Sequence, residues 1–157
     1  EPTELYGQPV TAPGVDPEGA RQAAVEFMEV VEEAWWTGDT SEIQSRSENT
    51  CAYCLTQIAE IEENNRLGIY ASEEMTLTIG HSEGFAPMLD NEFHSVLVEL
   101  FGSEADLYNS AGEAVERSIE SGFTLLVVVR KTHSGWSIVQ ALGVSADEAA
   151  TIRSERS

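Results

Sequence analysis

The sequence is short of positive charge. Eight Lys and Arg stand against 28 Asp and Glu in 157 residues, a formal net charge of −20, and Lys131 is the one lysine. The acids are spread along the chain rather than gathered in a tail. A field of that sign repels phosphate backbones and anionic lipid surfaces, so nucleic acid is excluded as a partner. It also argues for a monomer, with a dimer through a sheet face as the other state. Long apolar runs are missing: no stretch reaches the roughly 18–20 residues that cross a bilayer as a helix. A four-ligand metal site would need two of His81, His94 and His133 beside the two Cys, and none of the three lies in a paired His spacing. Asp90-Asn91-Glu92 lacks the alternating oxygens and central Gly of a calcium loop. There is no Gly-rich phosphate loop, nucleophile elbow or zinc-protease motif, and no cofactor is implied.

What is present suffices for one core. Hydrophobic residues make up 41% of the chain, with three Trp and five Phe, in a length that needs no metal or staple. Residues 1–15 carry Pro2, Pro9, Pro13, Gly7 and Gly14 with little apolar periodicity, and read as an extended tether. The opening at Glu1, without Met, reads as a trimmed chain or a mature form. Residues 16–143 form the domain, and 144–157 a C-terminal tail or short helix.

Asp16-Pro17-Glu18 is a helix start, with a capping carboxylate, Pro at the first helical position and an acid in the first turn. Ala20, Ala24, Phe27, Val31 and Trp35 then recur at helical spacing up to Gly38, a left-handed cap. Asp39 or Thr40 caps a short second helix through about Ser45. Asn49 or Thr50 caps a third, with Cys51, Cys54, Leu55, Ile58 and Ile61 as its buried stripe and Gly68 after its last turn. The period then changes to two. Leu77, Ile79 and His81 alternate with polar residues, and Phe93 to Phe101 is a second strand. Asn109 to Gly112 is a turn, Ile119 to Arg130 a long strand, and a turn at His133 to Gly135 leads into a last strand, Trp136 to Leu142. Helices followed by an antiparallel meander predict an α+β fold with the N-terminal helices on one face of the sheet.

Cys51 and Cys54 stand three apart at a helix start. That spacing admits a disulfide, half of a metal site, or a redox pair activated by the helix N-terminus. Redox sites of this spacing follow a β-strand, whereas here helices precede.

Trp36-Thr37-Gly38-Asp39-Thr40, the following Cys51-Ala52-Tyr53-Cys54 and the late Gly135-Trp136 resemble a family of actinobacterial lipoproteins of unknown function. The resemblance covers about Gly19 to Leu142 by element order, with sharp motifs only from Trp35 to Cys54. It implies a strongly curved, cystatin-like sheet under a long helix, the nuclear-transport-factor-two-like or SnoaL-like cone. It also implies an extracytoplasmic, membrane-anchored location through an N-terminal lipid absent from this chain. An oxidising exterior in turn favours the Cys51–Cys54 disulfide, whose tiny loop is worth only about 2 kcal/mol.

No catalytic residue set comes with the resemblance. Enzymes on this fold place a His or Asp base in the cone. By strand parity His81 shares a side with Ile79, and His94 one with Val96 and Val98, so both are candidate cavity-lining residues. Trp36 and Tyr53, off the main helical stripes, are the other two. Without an orienting carboxylate, the expectation is a non-enzymatic binding or accessory domain of the bacterial cell envelope. Its partner would be an envelope protein, a wall component or a small apolar ligand. The alternative is a ketosteroid-isomerase-like or dehydratase-like enzyme that uses the cone.

Overall fold

Asp16 opens the first helix: its carboxylate accepts the Gly19 N–H at 3.0 Å, and Pro17 takes the first helical position. This helix, α1, spans Pro17–Thr37 and ends at Gly38, whose φ of 83° is the left-handed cap expected. The computed structural model describes residues 15–71, 77–85, 93–102, 106–117, 122–133 and 135–156. The proposed tether up to Gly14, the Asp90–Glu92 stretch and the start of the strand expected from Ile119 lie outside these residues.

Two further helices follow, α2 (Ser41–Arg46) and α3 (Ala52–Leu67). The N-cap of α3 is Cys51 itself, with Sγ accepting the Cys54 N–H at 3.2 Å. Thr50, one of the expected caps, instead donates its hydroxyl to the Val139 carbonyl. Leu55 also departs from the expected stripe. It is half exposed, because the buried face of α3 runs through Cys54 and Ile61, and Leu55 sits one step round the helix.

The strands form two antiparallel sheets. The larger joins β2 (Leu77–Phe85), β3 (Phe93–Gly102), β6 (Phe123–Thr132) and β7 (Gly135–Val144), in the order β2-β3-β6-β7. The smaller joins β1 (Tyr70–Ala71), β4 (Asp106–Tyr108) and β5 (Ala114–Arg117), in the order β1-β4-β5. The α+β class is therefore as the element order predicted.

Alternation along β3 sorts the two faces of the larger sheet. Val96, Val98 and Leu100, with Leu125, Val127 and Val129 of β6, pack against Ala20, Ala24, Phe27, Met28 and Val31 of α1, and His94 is buried on the same side. Leu97 and Phe85 point to the opposite face, where the last helix, α4 (Ala146–Arg156), buries Ala149 on them. Arg153 of α4 reaches across to Glu83 at 3.0 Å and Glu99 at 3.4 Å. Both sheet faces are thus covered by helices, at least in part.

Each outer strand carries an irregularity. Between Ile79 and Ser82, β2 advances three residues while β3 advances two; between Ile138 and Gln140, β7 gains one residue on β6. Such bulges bend a strand and re-aim the side chains beyond them.

The corner between α2 and α3 lies along β7, the outer strand. The Glu48 N–H donates to the Ile138 carbonyl at 2.8 Å, and Gln140 returns a bond to the Thr50 carbonyl at 3.2 Å. The Glu48 carboxylate takes the Arg130 guanidinium at 2.7 Å together with the Ser137 hydroxyl. Those two partners, the Ser137 hydroxyl first, hold its acid below the usual carboxylate range.

Candidate functional site

The four candidate cavity residues sit in different surroundings. His94 is fully buried on the helix-facing side of β3, edge-on to Trp136 with ring centroids 5.0 Å apart. Its Nε2 accepts the Asp16 backbone N–H at 2.9 Å, so the ring anchors the start of α1. His81 instead lies in the β2 bulge, with its side chain 57% exposed and Nε2 3.3 Å from Glu83. Parity placed it beside Ile79; the extra residue breaks that parity and turns it outward. Tyr53 is half-buried against the core cluster. Burial, with a smaller contribution from Glu60, pushes its phenol up to about 12.

Trp36 lines a cleft. The cleft, about 220 Å³, opens where the C-terminal ends of α1 and α3 meet the small sheet. Trp35, Trp36 and Gly38 come from the first helix end, Asn64 and Asn65 from the second, and Tyr70 and Leu107 from β1 and β4. Trp36 is 45% and Tyr70 50% exposed.

Local sequence explains how these groups converge. Gly38 is left-handed, and a Cβ there would sit 2.8 Å from Asn65 Oδ1. This close approach lets the Asn65 amide donate to the Gly38 carbonyl at 2.9 Å, tying one helix end to the other. The end of α3 closes with Ile69 N–H on the Asn64 carbonyl at 2.9 Å and Gly68 N–H on the Asn65 carbonyl at 3.2 Å, the Schellman pattern. The chain is thereby turned directly into Tyr70. The Tyr70 ring lies 5.8 Å from that of Tyr108, its register partner in β4. Behind the cleft, the Trp35 indole N–H donates to Gln57 at 2.7 Å, which fixes that ring.

The walls of the cleft are aromatic, aliphatic and amide, with no charged side chain among the described lining residues. Among the described residues, no group of three or more His, Cys, Asp or Glu could hold a metal ion. Sequence reasoning found Trp36 but missed Tyr70 and Leu107, because β1 and β4 have two and three residues and leave no alternation to read. The Asn64-Asn65 pair just before Gly68 was the available signal, marking a helix end beside Gly38.

The two cysteines are joined. The Cys51–Cys54 disulfide is formed, with both residues fully buried, so neither sulfur is presented to a redox partner or held free as a metal ligand. A disulfide fits a compartment outside the reducing cytoplasm. No described helix is long and apolar enough to cross a membrane.

No protein-family model matches the sequence, and neither does any curated protein. Solved structures do resemble it. The intermembrane space region of chloroplast protein ARC6 aligns over 83% of this chain and 98% of its own, at 13% identity and a TM-score of 0.62. Aln2 from a Streptomyces species aligns over 88% and 98%, at 7% identity and a TM-score of 0.52. An NTF2-like protein with a cystatin-like fold from Novosphingobium aromaticivorans aligns over 85% and 86%, at 12% identity and a TM-score of 0.48. At these identities the first two likenesses are ones of fold: helices on an antiparallel sheet.

Proposed function

We propose that the chain is a non-catalytic binding domain of the bacterial cell envelope, held outside the cytoplasm by a lipid-anchored N-terminal segment. The cleft at the ends of α1 and α3 is its working surface. One observation carries the reading: two half-exposed aromatic rings, Trp36 and Tyr70, flank an uncharged cleft. Half-exposed aromatics gathered at a cleft are groups suited to contact a partner. The buried disulfide supports the exterior location. The isomerase reading draws no support from the histidines, since His94 is committed to the start of α1 and His81 faces solvent. The cleft is also smaller than the roughly 300 Å³ at which pockets for drug-sized ligands begin. It suits a side chain or a headgroup.

The test is co-sedimentation of the whole chain with envelope material from the source organism, comparing wild type with Trp36→Ala and Tyr70→Ala. Both substitutions remove half-exposed rings, so the variants fold, and melting curves check this. Retention by wild type and loss in both variants is the expected result. Equal retention of all three proteins, or none by wild type, refutes the reading.

A further inference from the structure

We infer that the group bound in this cleft is an organic ammonium cation. The inference rests on the cleft being the binding site and names its ligand class. Three independent features point the same way. The rings of Trp35, Trp36 and Tyr70 line the cleft, and aromatic faces attract a cation through their quadrupole, best of all those of Trp.

The second feature is the convergence of two helix C-termini. Gly38 ends α1 and Asn64 and Asn65 belong to the last turn of α3, and all three line the cleft. Each helix end is equivalent to roughly half a negative charge. Asn65 holds the two ends together through the Gly38 carbonyl. The last turn of α1 carries no base, and Arg66 in the last turn of α3 is already paired with Glu63. No basic side chain is therefore among the described residues that line the place these ends prepare.

The third feature is the net charge of −20, which draws cations toward the surface and repels anions. A purely apolar guest would gain nothing from the helix ends or the field. An anion would be opposed by both.

Free quaternary amines and the ammonium groups of lysine-type side chains share this chemistry. Isothermal titration of the full chain separates them, with choline and Nα-acetyl-lysine methylamide as the two cationic probes. The neutral isostere 3,3-dimethyl-1-butanol has the shape of choline without its charge. At least one cation should bind about tenfold more tightly than the isostere. Trp36→Ala and Tyr70→Ala should each weaken that binding by about fivefold. Raising salt from about 0.1 M to about 0.5 M should weaken it further.

Whichever cation binds better identifies the source, a free amine or a displayed side chain. Equal binding of choline and its isostere overturns the inference, as does binding of a cation that Trp36→Ala leaves unchanged. Envelope retention that depends on Trp36 while neither cation binds overturns the cation assignment and leaves the cleft as the binding site.

Discussion

Reducing the Cys51–Cys54 bond should destabilise the fold by about 2 kcal/mol, a figure set by the shortness of the loop. The cysteines are separated by three positions, so the bond removes little entropy from the unfolded chain. For a domain of this length, that loss corresponds to a melting point lower by about 4–8 °C. Both sulfurs belong to fully buried residues, so reductant reaches them only when the α2–α3 corner opens. In native buffer dithiothreitol should therefore act slowly, and much faster in moderate urea. The double variant Cys51→Ala/Cys54→Ala goes further than reduction, because it also deletes the sulfur that accepts the Cys54 N–H and caps α3. That cap adds a loss of about 0.5–2 kcal/mol, so the variant should melt below the reduced wild type. Calorimetry of the oxidised, reduced and doubly substituted proteins measures all three. Prompt reaction of both cysteines with a thiol reagent in the untreated native protein would refute the assignment. So would a melting point that reduction lowers by less than about 1 °C.

Two further outcomes follow from particular contacts. Gly38→Ala and Gly112→Ala both force a Cβ onto left-handed backbone, at φ 83° and 82°, but only the Cβ at residue 38 meets a neighbour, Asn65 Oδ1 at 2.8 Å. Each should cost about 1–2 kcal/mol of backbone strain, with the Gly38 variant clearly worse in urea unfolding; equal costs would mean that Asn65 is not held where described. Glu48 is held below its ordinary value of 4.5 in the fold, so its contribution is present above pH 4.5 and disappears as pH falls through the lower folded value. Melting points of wild type and Glu48→Gln should therefore run in parallel above pH 4.5 and converge below it, and a gap that stays constant in acid would contradict this.

Local chemistry made much of the framework legible. The Asp16-Pro17 start, the glycines that end α1 and α3, and the alternation of β3 each depend on a few neighbouring residues, and each lies where the pattern placed it. What could not be read depends on distant partners. A bulge is a property of two strands in register, so nothing within Leu77–Phe85 warned that His81 would turn outward. The cleft draws on residues as far apart as Trp35 and Leu107, and its β-side is built from strands too short to show a period. Tyr53 looked available because it lies off the apolar stripe of α3, yet packing against the core covers it. The C-terminal segment gave no clear apolar stripe; only contact with Phe85 and Leu97 shows which side of α4 is inward.

The α2–α3 corner also limits how the molecule can be extended sideways. Of the two border strands of the larger sheet, β7 has its outer carbonyls at Ile138 and Val139 already engaged by Glu48 and Thr50. A neighbouring chain that sought to add a strand would find the middle of that border occupied, with a buried disulfide bracing the segment that occupies it. A strand seeking to pair along the middle of β7 would first have to displace these two contacts.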